Sequence, residues 1–89
     1  MMKKTEMCRK ITDLGKYGTR TLVYYLTEDI FDAGVTEYGV EIAADNGETS
    51  AVSAVTPDAE KAKSLIAAMA AGCVTPVSLE YIVQDWLEM

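Results

Sequence analysis

The chain has 89 residues, 49% of them hydrophobic and 25% charged, with a net charge of −6. These values describe one domain with a modest core and exclude a disordered tail or a two-domain protein. It contains no histidine, which removes Ser-His-Asp and Cys-His nucleophilic sites and every His-bearing zinc site, and argues against an enzyme.

The chain divides near Val55 into a strand-rich part and a helix-rich part. Met7 to Thr12 reads as a charged edge strand, because Arg9 and Lys10 interrupt its weak alternation. The run Gly15-Lys16-Tyr17-Gly18 supplies a reversal. Thr19 to Thr27 is rich in β-branched and aromatic residues and reads as an inner strand. Leu22, Tyr24 and Leu26 lie on one face of it, and Val23 and Tyr25 on the other. Glu28 to Gly34 reads as a loop, with Ile30 and Phe31 folded back onto the rim of the core. Val35 to Ala44 alternates cleanly, with Tyr38, Val40, Ile42 and Ala44 inward and Glu37, Gly39 and Glu41 outward. Asp45-Asn46-Gly47 is a hairpin turn. A fourth strand returns over Thr49 to Val55, and its small residues Ala51, Ser53 and Ala54 imply a bulky neighbour.

Two helices follow. Thr56 is placed to cap the first, with Pro57 at the first helical position and Asp58 at the positive end of the dipole. Its apolar stripe is Ala62, Leu65, Ile66, Met69 and Cys73, and Gly72 is placed to stop it in the left-handed conformation. The extra alanines of this helix raise its propensity and permit close approach. Thr75-Pro76 repeats the start signal, with Val74 and Leu79 at the spacing of a hydrophobic staple. The second stripe is Leu79, Ile82, Val83, Trp86 and Leu87. The expected architecture is α+β: a four-stranded antiparallel meander packed on one face by a C-terminal αα-hairpin, one domain over 1–89, with the sheet at 5–55 and the hairpin at 56–89.

Residues 1–20 carry a charge of +4 and residues 21–89 carry −10. Such a body argues against non-specific phosphate binding, and the basic stretch is expected to pair with the acidic remainder of the fold or of a second copy. Cys8 and Cys73 form no CxxC pair, so they read as small core hydrophobes. Met7 and Met69 likewise read as core filler and Trp86 as the anchor of the last helix. The longest apolar run, Leu65 to Cys73, falls far short of the ~20 residues that span a bilayer. Residues Met1 to Glu6 lead into polar sequence rather than a signal-peptide core, so the expected compartment is the cytoplasm, with both thiols reduced.

The acids Glu28, Asp29 and Asp32 would suit a divalent cation, but they lack the spacing of a calcium loop and read as a solvated turn. Gly15, Gly18, Lys16 and Arg20 do not match a phosphate loop, and no helix follows them. No catalytic, metal or cofactor residue is assigned. The semi-apolar outer face of the second strand is left without a cover, so Val23, Tyr25 and Arg9 are the candidate interface residues. They point to a non-catalytic interaction or regulatory module that associates with itself, as a homodimer, or with another protein, through the sheet face or a free edge. The alternative is a module that binds a ligand or single-stranded nucleic acid through the basic first strand, with Tyr25 stacking bases beside Lys10 and Arg20.

The strand Tyr38-Gly39-Val40-Glu41-Ile42 and the run from Thr75 through Trp86 to Leu87 resemble short bacterial proteins grouped as a domain of unknown function. Those proteins carry a YGIEI-like strand and a helix that opens on Thr-Pro. The resemblance covers the chain from about Leu22 onward and implies no activity, cofactor or site residue.

Overall fold

A computed structural model describes residues 2–13, 15–31 and 34–88, apart from the side chains of Met2 and Tyr17. Four strands, β1 (Met2–Asp13), β2 (Thr19–Ile30), β3 (Thr36–Ala44) and β4 (Thr49–Thr56), form one antiparallel sheet in the order β1-β2-β3-β4. Two helices follow, α1 (Ala59–Ala71) and α2 (Leu79–Leu87). This is the α+β meander with a helical hairpin that the sequence pattern implies.

The inward residues Leu22, Tyr24, Leu26, Val40 and Ile42 meet Ala62, Leu65, Ile66 and Met69 of α1 and Leu79 and Val83 of α2 in one core. Full burial of each large apolar side chain contributes roughly 1.5–3 kcal/mol, which makes this two-layer contact the main source of stability. Helix α1 packs across all four strands, and α2 packs on β4. The molecule is elongated, 49 × 27 × 17 Å, because strands β1 and β2, each 12 residues long, outrun the helical layer.

Both long strands extend further than the sequence indicates. Strand β1 begins at Met2 rather than Met7, and β2 continues through Glu28, Asp29 and Ile30. Pairing on both sides of β2 outweighs the poor strand propensity of those acids. Ile30 and Phe31 consequently do not fold onto the core rim; they are 50% and 49% exposed at the far tip. Ala51, Ser53 and Ala54 are also exposed, so nothing bulky covers them.

The small size of one residue serves a different contact. Between Tyr38 and Val40, β3 spends one residue, Gly39, where β4 spends three. A methyl at Gly39 would collide with the Val52 carbonyl, Thr27 Oγ1 and Ser53 Cα. The bulge on β4 turns through Ala54 at φ +54°, a left-handed conformation that costs a residue with a side chain.

The helix ends differ in detail from expectation. Asp58, not Thr56, caps α1: its carboxylate accepts from the backbone N–H of Glu60 at 3.0 Å and of Lys61 at 3.3 Å. Thr56 sits one step earlier, its Oγ1 accepting from the Asp58 N–H at 3.2 Å. At the other end Gly72 has φ −90°, and Cys73 takes the left-handed conformation at φ +50°. The Val74 N–H donates to the Met69 carbonyl and the Cys73 N–H to that of Ala70, which is the Schellman arrangement with cysteine where glycine is usual. Pro76 opens a short 3-10 turn, Pro76–Ser78, ahead of α2, and Thr75 makes no side-chain cap. Leu87, expected in the apolar stripe, is 55% exposed.

Candidate functional site

The outer face of the sheet is less bare than its sequence suggests. Glu6, Tyr25 and Glu41 lie side by side across β1, β2 and β3. The Lys4 ammonium sits 4.5 Å from the Tyr25 ring centroid and 3.0 Å from the Glu41 carboxylate. That hydrogen bond, with the charge of Glu41, raises the Lys4 pKa above its ordinary value. Arg9 contacts Glu6 at 2.9 Å, which likewise raises the Arg9 pKa. Val23, between its cross-strand neighbours Arg9 and Ala43, is 9% exposed. Val23 and Tyr25 share one face, as their spacing implies, and the register of β1 adds Arg9 to it, but an ion-paired cover replaces the expected open apolar patch.

The residues grouped for base stacking are not brought together. Lys10 pairs with Leu22, whose side chain is in the core, and Arg20 has the same parity as Leu22. Both point to the helical side of the sheet, opposite Tyr25. Arg20 approaches Asp45 at 3.9 Å, so basic residues of the N-terminal stretch do pair with the acidic remainder of the chain, here and at Lys4. Of the three acids considered for a cation, Glu28 and Asp29 are consecutive residues of β2 and face opposite ways, while Asp32 lies outside the described residues.

A different place has the shape of a site. Strand β1 is an outer strand of the sheet, so among the described residues one of its edges has no partner strand. Its pairing with β2 slips at Met7, between Glu6 opposite Tyr25 and Cys8 opposite Tyr24. The bulge brings Met7 to the helical side beside Cys8. Across from them, Ile66, Ala67 and Ala70 of α1 form the second wall of a cleft of about 290 Å³. The alanines of α1 keep that wall low, so the space beside the strand stays open. Lys10 and Lys63 stand at its rim, and among the described residues no acidic side chain lines it. Lys63 leans toward Glu60 at 3.7 Å.

The sequence reading missed this cleft and treated Met7 as core, whereas it is 39% exposed. The available signal was weak: the shared parity of Cys8, Lys10 and Thr12 on β1, and paired alanines on α1. A broader depression of about 600 Å³ lies on the other side of α1, against Val55, Lys61 and Trp86. Trp86 borders the core from there and is partly buried. Strand β4, the other outer strand, is shorter, bulged, and packed against α2, which leaves it the less accessible edge. Among the described residues no group of three or more Cys, Asp or Glu side chains is gathered for a metal ion, and no helix is long and apolar enough to cross a membrane.

Fold and cleft together define a class: an open antiparallel sheet with a single helical layer and a groove between an outer strand and a helix. The chain belongs to a family of unknown function (DUF6514), which matches residues 2–89. The match includes the basic N-terminal stretch as well as the part from Leu22 onward. Neither a curated protein nor a solved structure matches the chain.

Proposed function

We propose that the chain is a non-catalytic protein-interaction module that takes up a partner strand along β1. The observation that carries this reading is the unpaired edge of a 12-residue outer strand with an apolar cleft beside it. An edge strand presents a row of free N–H and C=O groups, and a neighbouring groove accepts alternate side chains of an added strand. Backbone pairing supplies affinity in such an arrangement, and the groove supplies selectivity.

Native mass spectrometry of gently purified protein, followed by hydrogen exchange on any complex retained, tests the reading. A bound polypeptide that slows exchange across Cys8 to Thr12 supports it. A polypeptide complex in which β1 exchanges as fast as in the isolated chain would place the interface elsewhere and overturn it.

A further inference from the structure

We infer that the β1 edge receives an extended segment of another protein that alternates apolar and acidic residues. The apolar side chains seat between Cys8 and Ala67, and the carboxylates meet Lys10 and Lys63. This deepens the β1-edge reading and rests on it.

Geometry fixes the apolar half of the motif. Cys8, Lys10 and Thr12 share the helical side of β1, because residues two apart point the same way. A strand added outside β1 would present every second side chain to that same side. There it meets Met7, Cys8 and the small residues Ala67 and Ala70. Beyond the bulge at Met7, the segment from Cys8 to Asp13 pairs with β2 in unbroken register, so its outer edge is regular enough to template a further strand.

Charge fixes the acidic half and the choice of partner. Lys3, Lys4, Arg9 and Lys10 against Glu6 and Asp13 give β1 a net charge of +2. Two copies of β1 side by side would bring together two strands of like net charge, which favours an acidic segment over a second copy at this edge. Lys10 makes no ion pair among the described residues. The Lys63–Glu60 pair is exposed and long, and such a pair yields readily to a competing carboxylate. Two cations at the rim of an apolar cleft with no lining acid complement an apolar segment flanked by carboxylates.

Two synthetic peptide probes test this on the isotopically labelled full chain by NMR: alternating valine and glutamate, and alternating valine and lysine. The expected result is movement of the Cys8 to Thr12 amides and the Ala67 and Ala70 methyls with the glutamate peptide. The lysine peptide should bind about tenfold more weakly or worse, a difference of ~1.4 kcal/mol. The double variant Lys10→Glu, Lys63→Glu should reverse that preference. Ala67→Trp, on an exposed position, should abolish binding by filling the cleft while leaving the remaining amide spectrum in place. Equal binding of both peptides at β1, or no effect of charge reversal, would overturn the acidic motif and leave the edge reading standing. Shifts along β1 that grow with protein concentration alone would put a second copy there and also overturn it. Failure of both peptides to move any β1 amide would overturn the edge reading itself.

Discussion

The Tyr24 hydroxyl donates a hydrogen bond to the backbone carbonyl of Val74 at 2.8 Å. This joins the middle of β2 to the turn between the helices, across 50 positions of sequence. Tyr24 is fully buried, so its ring belongs to the core while its hydroxyl holds the helical hairpin in place. Removing only the oxygen tests that link. Tyr24→Phe keeps the ring and strands the Val74 carbonyl, and should cost about 1–2 kcal/mol in urea unfolding. A cost near zero would mean that the turn is held by apolar packing alone.

The same burial raises the pKa of the Tyr24 phenol to about 12, with smaller contributions from Cys73 and Cys8. The ordinary value is about 10, so the fold favours the neutral form. Stability from this group is present in full below pH ~10 and is lost as pH rises toward 12 and beyond. Ultraviolet titration of tyrosinate should show a late phase from Tyr24, and that phase should vanish in Tyr24→Phe. Its persistence in the variant would assign it to another tyrosine.

The regular interior of the sheet was legible in the sequence because burial leaves a record there. Tyr38, Val40 and Ile42 alternate with Glu37, Gly39 and Glu41, and Leu22, Tyr24 and Leu26 share a face. The strand ends were less legible. Lys3 to Glu6 is an outer-strand segment that buries little, so no apolar pattern marks it. Glu28 and Asp29 look like a loop until β1 and β3 are placed on either side. The cleft was least visible of all. It arises where Cys8 comes to face Ala67, nearly sixty positions along the chain, and neither residue has a local signature of binding. On the outer face, parity placed Val23 and Tyr25 correctly, but only the register shows Lys4 reaching over Tyr25 to Glu41.

The start of α1 separates two capping schemes that the local sequence leaves close together. Asp58→Ala removes the acceptor of two backbone N–H groups and should cost about 1 kcal/mol. Asp58→Asn, which keeps an oxygen in place, should retain most of that stability. Urea unfolding of the two variants checks both expectations, and equal losses would show that the negative charge, rather than the hydrogen bonds, matters at this position.

Gly39 and Ala54 both lie in the irregular stretch between the Tyr38–Thr56 and Val40–Val52 pairs. At Gly39 a methyl meets the backbone of β4 as well as Thr27, and backbone in a paired strand yields less easily than a side chain. Gly39→Ala should therefore destabilise by about 2–3 kcal/mol, in the range of core overpacking. Ala54 is exposed and held at φ +54°. Ala54→Gly relieves that conformation and gives up little packing, so it should be neutral or stabilise by up to about 1 kcal/mol, even though glycine is usually unfavourable in a strand. Ala54→Val should destabilise, because a β-branched residue resists positive φ. Thermal unfolding of the three variants reads all three signs. Loss of stability in Ala54→Gly comparable to that in Gly39→Ala would show that the bulge does not hold its left-handed turn in solution.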